Sequence, residues 1–182
     1  RCRMEPEVYQ EAEPLYKKAT LKYPAADLDD TIYHPERQLD AHIIEELSKC
    51  EWIEQGKNLV ITGKTSSGKS YLANALCICA LRQFKTVRYI KASQLINELS
   101  KAEKLDNYQE ELSIYAGYDL LVVDDFGLMS MDVNKCRNLF EVFDSRDPHK
   151  SILVISQFPV SSWYDMFQDH TYAEACLARF RL

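Results

Sequence analysis

Positive charge is scarce in this 182-residue sequence: 22 Lys and Arg stand against 28 Asp and Glu, a net charge of −6. Such a chain offers no global field to nucleic acid, so any contact of that kind falls to a local basic patch or to residues outside this stretch. Long apolar runs are missing as well. Nothing reads as a signal peptide and no segment could span a bilayer, so no membrane role is expected. Cys2, Cys50, Cys77, Cys79, Cys136 and Cys176 form no C-x-x-C pair, and His34, His42, His149 and His170 do not cluster with them. A zinc site is therefore not expected, and the thiols read as reduced and mostly packed in a cytoplasmic protein. Glycine and proline number five and six, without repeats or low-complexity tracts. What is present is a 46% hydrophobic content, enough for a core, in a length that favours one domain. The opening at Arg1 rather than Met reads as that of a fragment.

Two of the five glycines fall in one octet, Gly63-Lys64-Thr65-Ser66-Ser67-Gly68-Lys69-Ser70. It fits G-x-x-x-x-G-K-[ST], the phosphate-cradling loop of nucleotide triphosphatases. Gly63 and Gly68 permit turns that aim successive N–H groups at a phosphate. Lys69 supplies a cation for the β- and γ-phosphates, and the Ser70 hydroxyl can ligate Mg²⁺. The flanks suit the motif: Asn58 to Thr62 reads as a buried strand and Tyr71 to Leu81 as a buried helix, whose positive dipole end would lie under the anion.

Elsewhere, strands are predicted at Thr86–Ile90, Tyr118–Val123 and Ser151–Ser156. Between them come helices: one capped by Ser93 with Leu95, Ile96 and Leu99 inward, and one capped by Asp132 with Val133, Cys136, Phe140 and Phe143 on one face. Pro35 opens an earlier helix through Leu39, Ile43 and Leu47, and Thr171 with Glu174 forms a capping box for the last. Glu5 to Lys18 could form a peripheral helix, and Pro24 to Asp30 reads as a linker, so residues 1–30 are expected to be a tail from a preceding helical region and 31–182 the core. Alternating strands and helices imply a parallel sheet covered on both faces.

The strand at Leu120–Val123 ends in Asp124-Asp125. An acid there is the metal-side half of a nucleotide triphosphatase site: Asp124 would hold Mg²⁺ and Asp125 would activate water. Alone, the pair could equally be a solvated turn before Gly127. Asp124 follows Lys69 by 55 residues, room for an inserted strand between loop strand and acidic strand. Gln157, ending the fourth strand, could orient water, or it could be an ordinary polar strand end. Arg179 on the last helix reads from composition as a dipole partner or surface residue, and Arg181 as surface. Lys85, Arg88, Lys91, Lys101 and Lys104 outnumber Glu98 and Glu103, a local patch for DNA phosphates or simply a solvated face.

These residues, with Leu59–Gly63, Leu120–Leu128, Ile155–Trp163 and Ala173–Arg179, resemble the IstB-type ATPases, AAA+ helpers of insertion-sequence transposases related to the DnaC/DnaI helicase loaders. Lys22–Ala26 and Trp52-Ile53 are similar to that family too, and Pro159-Val160 with Trp163 favours helper over loader. The resemblance implies an α/β P-loop fold of AAA+ type, with ATP held at Gly63–Ser70 beside Tyr71, and Mg²⁺ at Ser70 and Asp124. It makes Asp125 the water-activating acid, Gln157 a sensor and Arg179 an arginine finger for a neighbour's ATP. It also implies duplex DNA, a transposase and self-association into a ring or helical filament as partners. A replicative helicase would be the partner of a loader, and a small-molecule kinase is a third reading, although no lid or substrate-arginine pattern is found. Three departures stand out: Ser66 where many relatives have Gly, Asp125 where Glu is commoner, and an end at Leu182 where relatives continue into a final strand and basic tail.

Overall fold

The structure, a computed structural model, describes residues 6–146 and 148–180; Cys2 and Arg181 lie outside them. Helices α1 (Pro6–Ala19), α2 (Ala41–Ser48) and α3 (Glu51–Glu54) precede strand β1 (Leu59–Thr62). Then come α4 (Lys69–Arg82), β2 (Val87–Lys91), α5 (Ala92–Lys104), α6 (Tyr108–Gly117), β3 (Leu120–Phe126), α7 (Val133–Asp144), β4 (Ser151–Ser156) and α8 (His170–Phe180). All strand pairs are parallel, in the order β1-β4-β3-β2.

Strand periodicity explains why the sheet must be covered twice. Leu121, Val123, Ile152 and Val154 point into a core shared with α5, α6, α7 and α8. Their neighbours Leu120, Val122, Leu153 and Ile155 point the other way, against α4 and α1. Side chains alternate along a strand, so an unbroken apolar run is stable only between two layers. This is the α/β sheet flanked by helices on both faces that the alternation predicts. Each such residue contributes about 1.5–3 kcal/mol by leaving water.

β4 lies between the loop strand β1 and the acidic strand β3. The inserted strand thus comes from late in the chain, and β2, which follows the loop in sequence, goes to the outer edge. The β3–β4 register slips between Val123 and Phe126. A bulge of this kind re-aims side chains next to a site, and here it falls on Asp124 and Asp125, the latter at φ 56°.

The segment after α1 is tied to the core. Ala19 is buried, the Thr20 hydroxyl donates to the Tyr89 carbonyl at 2.7 Å, and the Tyr23 N–H donates to buried Asn74 at 3.1 Å.

Four local expectations change. Ser93 caps nothing: β2 runs straight into α5, leaving Lys91 as the boundary residue with no side-chain cap. Asp169, not Thr171, caps α8, its carboxylate accepting the Thr171 and Tyr172 N–H groups at 2.9 and 3.2 Å. A carboxylate there also suits the helix dipole. Pro35 opens only a 3-10 turn to Arg37, and α2 starts afresh at its cap, Asp40. Val133 is half exposed in the first turn of α7, and Leu139 and Val142 fill the core instead.

Candidate nucleotide-binding site

The loop between β1 and α4 curls as its glycines demand. Gly68 has φ 85°, a conformation that L side chains rarely adopt, and Ser66 sits at φ 63° without glycine's freedom. That strain costs about 1–2 kcal/mol. Three bonds hold the curl: the Ser67 N–H and the Lys69 ammonium both donate to the Lys64 carbonyl, at 3.3 and 2.7 Å, and the Thr65 hydroxyl donates to Gln157 Oε1 at 2.7 Å. α4 begins at Lys69 and is buried on nearly every face, so its N-terminus is fixed beneath the loop.

Loop and strand ends enclose a cavity of about 490 Å³. Thr65 to Tyr71 line it, with Asp124, Asp125 and Gln157. Gly63 and Lys64 shape the turn from outside the lining. Burial lowers the Lys69 pKa, while Asp124 and Asp125 act in the opposite sense. Asp124 is almost wholly buried, and its Oδ2 accepts from the Ser70 hydroxyl at 2.9 Å and from the Tyr89 hydroxyl. One hydroxyl and one carboxylate fit Mg²⁺, which takes few protein oxygens and completes its shell with water and phosphate. No group of three or more His, Cys, Asp or Glu that could hold a metal occurs among the described residues.

Arg179 is not brought to this cavity. Its guanidinium pairs with Asp144 and its carbonyl accepts from the Asn58 amide at 2.7 Å. Asn58 precedes β1, at the end of the strand opposite the loop. From Asn58 to Gly63 is five residues of strand, roughly 16 Å.

Several residues were not foreseen at the cavity. Lys91 pairs with Asp125 at 2.8 Å, and that bond raises the Lys91 pKa. Tyr89 and Lys91 alternate along β2, and parallel register sets Lys91 opposite Asp124. Burial, then the bond to Asp124, raises the Tyr89 pKa. Asn74, one helical turn after Ser70, donates to the Ser70 carbonyl at 2.6 Å; the i, i+4 spacing was the available signal. Lys22 and Tyr23 form a wall, with the Tyr23 ring 5.7 Å from that of Tyr71. Tyr71 itself donates to Asp30 at 2.5 Å, which raises its pKa.

Strand, phosphate loop and helix, with an acid two strands away across β4, define a P-loop nucleotide-binding domain of the AAA+ type. The DnaC helicase loader superposes with a TM-score of 0.72 at 18% identity, over 85% of this chain and 93% of that one. AMPPCP-bound DnaA from Aquifex aeolicus gives 0.72 at 21% identity, over 87% and 48%; likeness at such identities speaks for the fold. The chain belongs to the IstB-like ATP binding protein family, whose profile matches residues 9–181. It is 36% identical over 163 residues to the insertion sequence ATP-binding protein y4uH of Sinorhizobium fredii, covering 90% of this chain and 65% of that protein. It is also 36% identical over 150 residues to an ATP-binding protein of insertion sequence IS1162 of Pseudomonas fluorescens, covering 82% and 65%. The chain thus spans about two thirds of the length of these relatives.

Proposed function

We propose that this chain binds and hydrolyses ATP with Mg²⁺, assembles on duplex DNA, and assists a transposase in choosing its target. The observation that carries the reading is the convergence of Lys69, Ser70, Asp124 and Asp125 on one cavity beneath a helix N-terminus. Loop N–H groups and Lys69 hold the β- and γ-phosphates. Ser70 and Asp124 would hold Mg²⁺, which would supply charge stabilisation to the γ-phosphoryl group. Asp125 takes the proton of the attacking water. Gln157, its carbonyl engaged by Thr65, offers its NH₂ group to the γ-phosphate or to water. Tyr23 offers an aromatic face to the base. Arg179, remote from its own cavity, serves the ATP of the next subunit in a ring or filament.

Membership among insertion-sequence ATP-binding proteins favours the transposition helper. The helicase loader is the second reading, because the motifs resemble those of the DnaC/DnaI loaders as well. Lys69→Ala in the full-length protein should weaken ATP binding at least a hundredfold, because it removes the ammonium meant for the triphosphate; unchanged affinity would sink the phosphate-loop assignment. Hydrolysis stimulated by duplex DNA, together with capture of an insertion-sequence transposase, separates helper from loader. Stimulation by a replicative helicase alone would favour the loader.

A further inference from the structure

Arg37 ends the 3-10 turn that begins at Pro35, thirty residues before Ser67 of the phosphate loop. Its guanidinium forks between two carbonyls. Nη1 donates to Ile32 at 2.8 Å and Nη2 donates to Ser67, inside the loop, at 3.1 Å. Nη2 also lies 2.9 Å from where a Cβ on Gly68 would stand. A Cβ at Gly68 would therefore push on the tip of the Arg37 side chain, which would have to shift, and the positive φ of Gly68 itself disfavours an L side chain.

The Ser67 carbonyl and the Gly68 N–H belong to one trans peptide plane, in which C=O and N–H point in opposite directions. A donor that fixes the carbonyl outside the loop fixes the N–H toward the inside. A bond to a cation also polarises the peptide and strengthens its N–H as a donor. We infer that Arg37 is a positioning residue that aims the Gly68 N–H into the phosphate cradle, an inference that rests on the phosphate-loop reading. Without it, the Ser67–Gly68 peptide can rotate, and glycine's freedom at Gly68 makes that rotation easy. The cradle then loses one of its converging donors while the fold is kept.

The test uses the full-length protein, titrated with ADP and with adenosine. Arg37→Ala should weaken ADP binding about tenfold, the loss of one hydrogen bond to a charged group, and leave adenosine affinity and the unfolding midpoint of the free protein unchanged. Arg37→Lys, which can reach one carbonyl but not bridge two, should fall between. In a ¹⁵N-glycine-labelled sample the Gly68 amide should move downfield on saturation with ADP in the parent protein, and much less in Arg37→Lys. Unchanged ADP affinity in Arg37→Ala, or parallel losses of ADP and adenosine, would overturn the inference, the latter marking a general tie between segment and core. Lys69→Ala run alongside separates the two levels. If it loses ADP binding while Arg37→Ala does not, only the role of Arg37 fails; if neither changes, the phosphate-loop reading fails with it.

Discussion

Arg179 offers the sharpest test of a shared site. It is roughly 16 Å of strand away from the loop of its own subunit, beyond the reach of one side chain. Its present partner does not hold it strongly: both side chains of the Arg179–Asp144 pair are nearly half exposed, at 49% and 43%, and such pairs contribute about 0–1 kcal/mol. Exchanging Asp144 for a neighbour's γ-phosphate therefore costs little. An arginine finger is worth about 10³–10⁵ in rate, so Arg179→Ala should bind ATP normally and lose assembly-stimulated hydrolysis by that factor. Asp125→Asn should also bind ATP and fail to turn over, because Asn keeps the shape but cannot take the water's proton. An equimolar mixture of the two dead proteins has a defined outcome. With random head-to-tail assembly, about a quarter of interfaces set an intact Asp125 against an intact Arg179. Steady-state phosphate release by the full-length proteins with duplex DNA should recover to about a quarter of the parent rate. A fully active Arg179→Ala makes the residue mere surface, and a mixture that stays dead refutes a site shared between subunits.

Three further predictions concern packing, charge and pH. Trp163 is fully buried, its ring 4.6 Å from Phe126 and its indole N–H donating to the Phe158 carbonyl at 3.1 Å; Trp163→Ala should cost about 3–5 kcal/mol in urea unfolding, and a loss below about 1 kcal/mol would contradict this packing. Of the basic patch, Lys85, Arg88 and Lys91 are already paired with Glu54, Glu98 and Asp125, which leaves Lys101 and Lys104 exposed at the end of α5. Reversing both charges should flatten the slope of log affinity for duplex DNA against log salt by about 2, and an unchanged slope would remove the patch from the interface. The Cys50 and Cys176 thiols are pushed up to about 12 by burial, from an ordinary value near 9.0. Between pH 9 and 12 the unfolded chain releases these protons while the folded chain keeps them, so their contribution to stability is full below pH 9 and is lost as pH rises through 12. Unfolding midpoints across that window should fall less in Cys50→Ala/Cys176→Ala than in the parent, and equal falls would count against buried thiols.

Much of this was legible because local rules govern it. The octet at Gly63 fixes its own turn, and apolar runs at Leu120 and Ser151 can only be strands buried on both faces. Other features depend on which elements become neighbours, which periodicity does not state. Ser93 looked like a cap only so long as a linker was assumed between β2 and α5. Tyr89 and Lys91 read as ordinary strand residues until β2 is placed beside β3, and then one bonds Asp124 and the other Asp125. Arg37 gave no signal at all, since the carbonyl it holds is thirty residues away and carries no side-chain chemistry.

The same distinction bears on how the site divides between subunits. The residues proposed to bind phosphate and metal lie at the carboxyl ends of adjacent parallel strands, where βα connections bring side chains together within one chain. Arg179 lies at the opposite end of β1, where its carbonyl accepts from the Asn58 amide. Under the proposed function, the positive group on the far side of the γ-phosphate would be Arg179 of a head-to-tail neighbour. In that reading, a free subunit would hold ATP and only a subunit with a neighbour would turn it over.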